Sequence, residues 1–107
     1  MTWRVEVLDQ RVSAEINTQP ADIQAAFLRI VYLIESMGLE RVREPYLKHL
    51  EGPLWEMRMK GKDGIARAAY VTATGYRVGV VRVFPKKTEK TPRREIELAL
   101  ARAREVR

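Results

Sequence analysis

The chain has 107 residues and a formal net charge of +6, and 46% of its residues are hydrophobic and 32% charged. This length and composition predict one domain, residues 1–107, with an apolar core, and argue against global disorder. The chain has no cysteine and one histidine. Disulfides, a thiolate nucleophile and a Cys- or His-rich metal centre are therefore excluded, and we expect no cofactor. No apolar run approaches the roughly 20 residues of a membrane span and the first residues lack a signal-peptide pattern, so we expect a cytoplasmic protein.

The charge is unevenly distributed along the chain. Residues 1–57 carry six Lys or Arg against nine Asp or Glu, whereas residues 58–107 carry fourteen against five. Such a split creates a positive field over one part of the fold, which favours a polyanionic partner. A basic surface that serves only solubility fits the same numbers.

The first half of the chain predicts one strand and two helices. Apolar and polar residues alternate from Trp3 to Val7, which is typical of a strand with one buried face. Asp9 suits the N-cap of a short first helix. Apolar residues at steps of three and four predict an amphipathic helix over residues 21–37, and Gly38 suits its end.

The second half predicts three strands and a last helix. Residues 39–53 are predicted to be irregular, because proline and glycine interrupt them. Tight turns join three predicted strands, one around residues 55–60, one over 65–73 and one over 76–84. Thr91 suits the cap of the last helix, with Pro92 at its first position.

The predicted order is therefore β-α-α-β-β-β-α. It indicates a two-layer α+β domain with a mostly antiparallel four-stranded sheet and helices packed on one face. Trp55, Met57 and Met59 alternate with polar residues and are interpreted as core. His49 falls in the irregular segment.

The three later strands carry a set of cations. Arg58 and Lys60 share the polar face of one strand, and the remaining cations follow on the next two strands and just beyond them: Arg67, Arg82, Lys86, Lys87 and Lys90. Adjacent strands lie about 5 Å apart, so these side chains are predicted to converge on one concave face. Clustered cations favour an anionic ligand such as phosphate, and Phe84 is a candidate for stacking on an RNA base.

Each of these residues also has a purely structural interpretation. Arg82 suits a side chain that extends along the sheet to solvent, and Arg67 suits an ion pair with Glu56 on the neighbouring strand. Both interpretations stay open at the level of sequence.

Metal-free RNA cleavage is compatible with this residue set. The 2′-hydroxyl of RNA attacks the adjacent phosphate when the two are held in line and the developing negative charge is stabilised. Arg and Lys supply both functions. DNA lacks the 2′-hydroxyl, so such an enzyme acts on RNA alone.

Two segments carry a family resemblance: residues 50–67 (LEGPLWEMRMKGKDGIAR) and residues 84–98 (FPKKTEKTPRREIEL). They resemble the phage-derived branch of the RelE/HigB-type toxins of bacterial type II toxin–antitoxin modules. The resemblance covers essentially the whole chain, so it implies a single RelE-like toxin domain. It implies a ribosome-dependent mRNA endoribonuclease (an mRNA interferase that inhibits translation) and a cognate helix-turn-helix antitoxin.

The resemblance also implies roles for individual residues. Arg58, Arg67 and Lys87 match positions at which the family has catalytic basic residues, while Lys60 and Lys86 are weaker matches. Glu56 stands where some relatives have lysine, and the C-terminal tyrosine proposed as a general base in some relatives has no counterpart after Lys90. His49 or a lysine of lowered pKa is then the candidate for proton transfer. No metal is implied.

Two other functions remain open. The related gyrase-targeting, ParE-like toxins share this fold without cleaving RNA, and a non-catalytic nucleic-acid-binding relative fits the missing tyrosine. The cation set favours the nuclease. We expect the antitoxin to cover the basic face.

Overall fold

Within residues 2–43 and 45–107, which this computed structural model describes, the chain forms five strands and three α-helices. In chain order these are β1 (Arg4–Val7), α1 (Gln10–Asn17), α2 (Ala21–Met37), β2 (Leu47–Glu51), β3 (Leu54–Gly61), β4 (Gly64–Ala73), β5 (Arg77–Pro85) and α3 (Arg93–Ala103). A short 3-10 turn, Leu39–Arg41, follows α2. In the described ranges, no helix combines the length and the apolar character needed to cross a membrane.

The strands form one mixed sheet in the order β1-β5-β4-β3-β2. The strands from β2 to β5 pair antiparallel with their neighbours, while β1 pairs parallel with β5. The mostly antiparallel α+β arrangement predicted from the sequence is therefore confirmed.

A capping side chain sets the start of α1, and a glycine follows the end of α2. Asp9 caps α1, because its Oδ1 accepts a hydrogen bond of 2.9 Å from the backbone nitrogen of Arg11. Gly38 follows α2 with a φ of 93°, a conformation that favours glycine. Between them, α2 buries one apolar stripe, made of Ile23, Phe27, Ile30 and Ile34.

The sheet is covered on both faces, so the prediction of helices on one face is wrong. Along β4, Ala66, Ala68 and Tyr70 join the core under α1 and α2, whereas Ala69 and Val71 join a second core with Ala99 of α3. Because successive strand residues point to opposite faces, these two sets define an α2 face and an α3 face of the sheet. The physical reason is that β4 is apolar on both faces, so a second layer has to cover it.

The four-stranded prediction is also corrected, because the segment predicted to be irregular contains β2. This edge strand pairs with the start of β3, and its register shifts between His49 and Glu51. Gly52, at a φ of 55°, makes the turn that joins the two strands. His49 therefore lies on a strand and not in a loop.

Two further predictions fail locally. Trp55 is 40% exposed and is not a core residue, since it lies towards the end of the α2 face beyond the helices, whereas Met57 and Met59 are buried as predicted. Thr91 does not cap α3, which begins at Arg93 with Pro92 before it and has no side-chain cap. The Thr91 hydroxyl is instead bonded to a buried glutamate, as described below.

Candidate functional site

The strand register brings several predicted site residues into rows on the α3 face. Arg58 of β3 lies opposite Arg67 of β4, which lies opposite Phe84 of β5. In the next row, Lys60 lies opposite Ile65, whose carbonyl accepts a 2.8 Å hydrogen bond from the backbone nitrogen of Lys86. The backbone therefore gathers the predicted cations at one end of the sheet, with adjacent strands about 5 Å apart.

Among these cations, Arg67 is buried. Its side chain is 3% exposed, and its Nε lies 3.4 Å from Oε2 of Glu56, which is 2% exposed. Of the two interpretations left open by the sequence, the structure shows the ion pair. A buried pair of this kind holds two segments together, since removing either partner leaves an uncompensated charge in the interior.

The Arg67 guanidinium also binds residues 86–92, which we call the basic loop. It donates to the carbonyl oxygens of Thr88 and Glu89 at 3.3 and 2.7 Å, and to Oγ1 of Thr91 at 3.0 Å. The Thr91 hydroxyl in turn donates to Oε1 of Glu56 at 3.0 Å. Arg67 and Glu56 together thus fasten the basic loop to the α3 face.

The fastened loop presents cations to solvent. The Lys86 ammonium lies 3.4 Å from the Glu89 carboxylate, and the Lys86 side chain is 14% exposed. Lys87 and Lys90 are exposed, and neither forms an ion pair with any residue in the ranges 2–43 and 45–107. Loop folding therefore leaves these two lysines open to an anionic ligand.

Arg82 is partly buried and paired with carboxylates, and Phe84 is buried. Arg82 lies 2.7 Å from Glu95 and 2.8 Å from Glu15, and the hydrogen bond with Glu95 is the main reason that the pKa of its guanidinium is raised. Phe84 is 3% exposed, and the guanidinium carbon of Arg82 lies 5.8 Å from its ring centroid. The Phe84 ring is thus packed away from solvent and offers no open face for an RNA base.

His49 lies on the other face of the sheet from Arg58. It pairs with Trp55 across β2 and β3, so its side chain belongs to the α2 face, opposite to Glu56 and Arg67. Its Nε2 is 2.9 Å from the carbonyl oxygen of Gly52, and its ring centroid is 5.0 Å from that of Trp55. The structure does not bring His49 together with Arg58 or Lys87.

A cleft of about 660 Å³ lies between α2 and the edge of β3, and we call it the edge cleft. It contains three cations, Arg29, Arg58 and Lys60, together with the half-exposed ring of Tyr46. None of the three cations pairs with a carboxylate in the part of the chain that the structure describes. The one acidic residue of the cleft, Asp22, accepts a 2.7 Å hydrogen bond from the backbone nitrogen of Lys62.

A second cleft, of about 720 Å³, lies between β2 and the basic loop, and we call it the loop cleft. Lys48 and Lys90 line it, along with Arg93, which forms a two-pronged ion pair with Glu51 at 2.7 Å. Buried Arg67 lies at its floor. Across residues 2–43 and 45–107, no three His, Asp or Glu side chains group as metal ligands.

Sequence reasoning missed two residues of the edge cleft, Arg29 and Tyr46. A signal for Arg29 was present, because Asp22, Ala25 and Arg29 recur at steps of three and four and so share one face of α2. No comparable signal marked Tyr46. It precedes an edge strand that lacks the period-two alternation.

Comparison with known proteins agrees with this architecture. Residues 14–104 match the family model described as "Phage derived protein Gp49-like (DUF891)". A chain in the crystal structure of the archaeal RelE-RelB complex from Pyrococcus horikoshii OT3 is similar in fold, with 22% identity and a TM-score of 0.57. The match covers 79% of this chain and 96% of that one. No curated protein sequence matches the chain. The fold is therefore similar to that of the RelE-like proteins that the sequence resembles, and the chain belongs to the Gp49-like family of phage-derived proteins.

Proposed function

We propose that this protein is the toxin of a type II toxin–antitoxin module and that it cleaves mRNA on the ribosome. The observation that carries the proposal is the edge cleft, where three cations without carboxylate partners in the described ranges lie beside an aromatic ring. Like charges in one cleft repel each other, and an anionic ligand offsets that cost. Lys87 and Lys90 extend the positive surface from the basic loop.

The reaction needs no cofactor. The 2′-oxygen of one nucleotide attacks the adjacent phosphorus and loses its proton, and the bond from phosphorus to the 5′-oxygen breaks. The 5′-oxygen takes up a proton, so the products are a 2′,3′-cyclic phosphate and a 5′-hydroxyl. Arg58 and Lys87 stabilise the charge that develops on the phosphoryl oxygens, and Lys60 and Arg29 hold flanking phosphates.

Arg67 has a different role in this proposal. Because its guanidinium is buried and bonded to Glu56 and the basic loop, it positions Lys87 instead of contacting the scissile phosphate. Arg82 also does not contact the scissile phosphate in this proposal, because it forms ion pairs with Glu15 and Glu95.

The antitoxin is part of the proposal. The solved relative is a complex of RelE with RelB, and by analogy a cognate antitoxin, of the helix-turn-helix type that the resemblance implies, binds this chain. We expect it to be attracted to the edge cleft and basic loop by charge, so the complex should weaken as salt rises. Action on translating ribosomes places the protein in the cytoplasm.

Inducible expression in a bacterial host tests the proposal. We expect growth arrest, loss of protein synthesis and new 5′ ends within translated mRNAs. Arg58→Ala should abolish cleavage, whereas Arg94→Ala, which removes an exposed cation on α3 outside both clefts, should leave it intact. Growth arrest with intact mRNA, accompanied by inhibition of purified gyrase, would instead assign the chain to the gyrase-targeting class.

A further inference from the structure

A third cavity, of about 880 Å³, opens on the α2 face of the sheet. It lies between the 3-10 turn and the strands β2 to β4, and Leu47, Trp55 and Tyr70 contribute to its apolar lining. Its volume falls within the range of small-ligand sites, which is roughly 300–1,000 Å³. Neither the proposed cleavage site nor the family match accounts for this cavity.

Trp55 is the unusual residue of this cavity. Met57 and Met59 on the same strand face are covered by helices, but Trp55 retains 40% exposure. The His49 ring meets it at 63°, with 5.0 Å between ring centroids, so one neighbour already packs edge-on against the indole. A partly exposed indole held by an aromatic neighbour is suited to stacking on a flat ring.

The rim of the cavity carries positive charge that is not neutralised within the described chain. Arg43 lines it, is exposed and pairs with no carboxylate among residues 2–43 and 45–107. Lys48 of β2 also borders the cavity, but it lies opposite Glu56, so its side chain belongs to the α3 face. The acidic rim residue, Glu40, accepts a 3.2 Å hydrogen bond from the indole nitrogen of Trp3. An aromatic floor beneath a cationic rim matches a nucleotide, which has a flat base and a charged phosphate.

We propose that this cavity binds a nucleobase of single-stranded RNA, stacked on Trp55, with Arg43 on the adjacent phosphate. The inference rests on the proposed function, since it gives the RNA a second point of contact. The cavity adjoins the loop cleft, because Lys48 and His49 line both. This shared border favours RNA over a protein segment as the ligand. A strand bound along the basic loop therefore reaches Trp55 across the edge strand β2.

Tryptophan fluorescence provides the direct test, since the chain has two tryptophans. The full-length protein is titrated with a 2′-O-methyl hexanucleotide, which binds as RNA does but lacks the attacking hydroxyl. We expect saturable quenching that persists in Trp3→Phe and disappears in Trp55→Phe. An oligonucleotide of the same charge with its bases removed should not quench.

Affinity for the labelled hexanucleotide, followed by anisotropy, gives the energetic test. Loss of one stacked base is expected to weaken binding about 5- to 150-fold in Trp55→Ala. Trp55→Phe keeps an aromatic face and should retain most of the affinity. Tyr32→Ala removes an aromatic side chain that is 69% exposed on α2, away from the cavity, and should change nothing.

The outcomes separate this inference from the proposed function. If the hexanucleotide binds with an affinity that depends on Arg58 but not on Trp55, with no Trp55 quenching, the cavity inference is wrong and the nuclease proposal stands. If the protein binds no RNA and cleaves none on ribosomes, both are wrong. If Trp55→Ala weakens only antitoxin binding, the cavity belongs to a protein interface and the nucleobase assignment is overturned.

Discussion

The buried pair of Arg67 and Glu56 makes a quantitative prediction about stability. In Arg67→Met the guanidinium disappears, and with it the 3.4 Å ion pair and three hydrogen bonds to the basic loop. Glu56, at 2% exposure, is left with the Thr91 hydroxyl as its hydrogen-bond donor. Breaking a buried pair from one side costs about 3–5 kcal/mol of the free energy of unfolding.

Urea denaturation followed by circular dichroism measures this cost. In a thermal melt, a loss of about 3 kcal/mol in the free energy of unfolding corresponds to a melting temperature lower by roughly 12–24 °C for a domain of this size. Arg58→Met is the matched control, because Arg58 lies directly across the strand pair from Arg67 but has no carboxylate partner in the described ranges. Its cost should stay within about 1 kcal/mol.

A double variant sharpens the test. In Glu56→Gln with Arg67→Met no buried charge is left unpaired, so its cost should be smaller than the sum of the two single costs by about 0.5–3 kcal/mol. If Arg67→Met costs no more than Arg58→Met, the pair does not fasten the loop and our reasoning is refuted. If the pair does fasten it, loss of toxicity in Arg67→Ala reflects loop unfolding and cannot by itself assign a catalytic role.

Three more outcomes are expected. Burial raises the pKa of the Tyr70 hydroxyl. The stability that Tyr70 contributes is therefore fully present below the unfolded-state pKa of about 10 and falls as the pH rises above that value. Urea midpoints measured from pH 8 to 11 should fall less steeply with pH in Tyr70→Phe than in the wild type. Glu15 lies 2.8 Å from both Arg82 and Arg102, so Glu15→Gln should cost about 2 kcal/mol in the same assay, and a cost near zero would show that these contacts do not stabilise the fold. Arg58→Ala should make the slope of log affinity against log salt shallower by about 0.7 for single-stranded RNA, and an unchanged slope would mean that Arg58 touches no phosphate.

The parts of the fold that depend on local chemistry could be predicted from the sequence. The apolar stripe of α2, the cap at Asp9 and the glycine turns between β3, β4 and β5 all involve residues within a few positions of each other. The edge strand β2 could not be found in this way, because its five residues do not alternate and breakers flank them. Nor does helical periodicity say which side of a sheet a helix covers, so the prediction that all helices pack on one face fails for α3.

The candidate site also combines features that the sequence predicts with features that it does not. The sequence predicts Arg58 and Arg67 on adjacent antiparallel strands, and the observed register sets them directly opposite each other. The burial of Arg67 could not be read from its own strand. It depends on the basic loop, about 20 residues later, folding back over the α3 face.

The parallel pairing of β1 with β5 also delays the closing of the sheet while the chain is being synthesised. Arg4 is in register with Arg77, so β1 cannot pair with β5 until about 73 more residues have been synthesised. At bacterial and eukaryotic elongation rates this delay is roughly 4–15 s, and loop closure over such a distance then adds to the time needed for folding. The sheet therefore cannot close until β5 has been made, which leaves an interval in which a newly made partner meets a chain that is not yet folded.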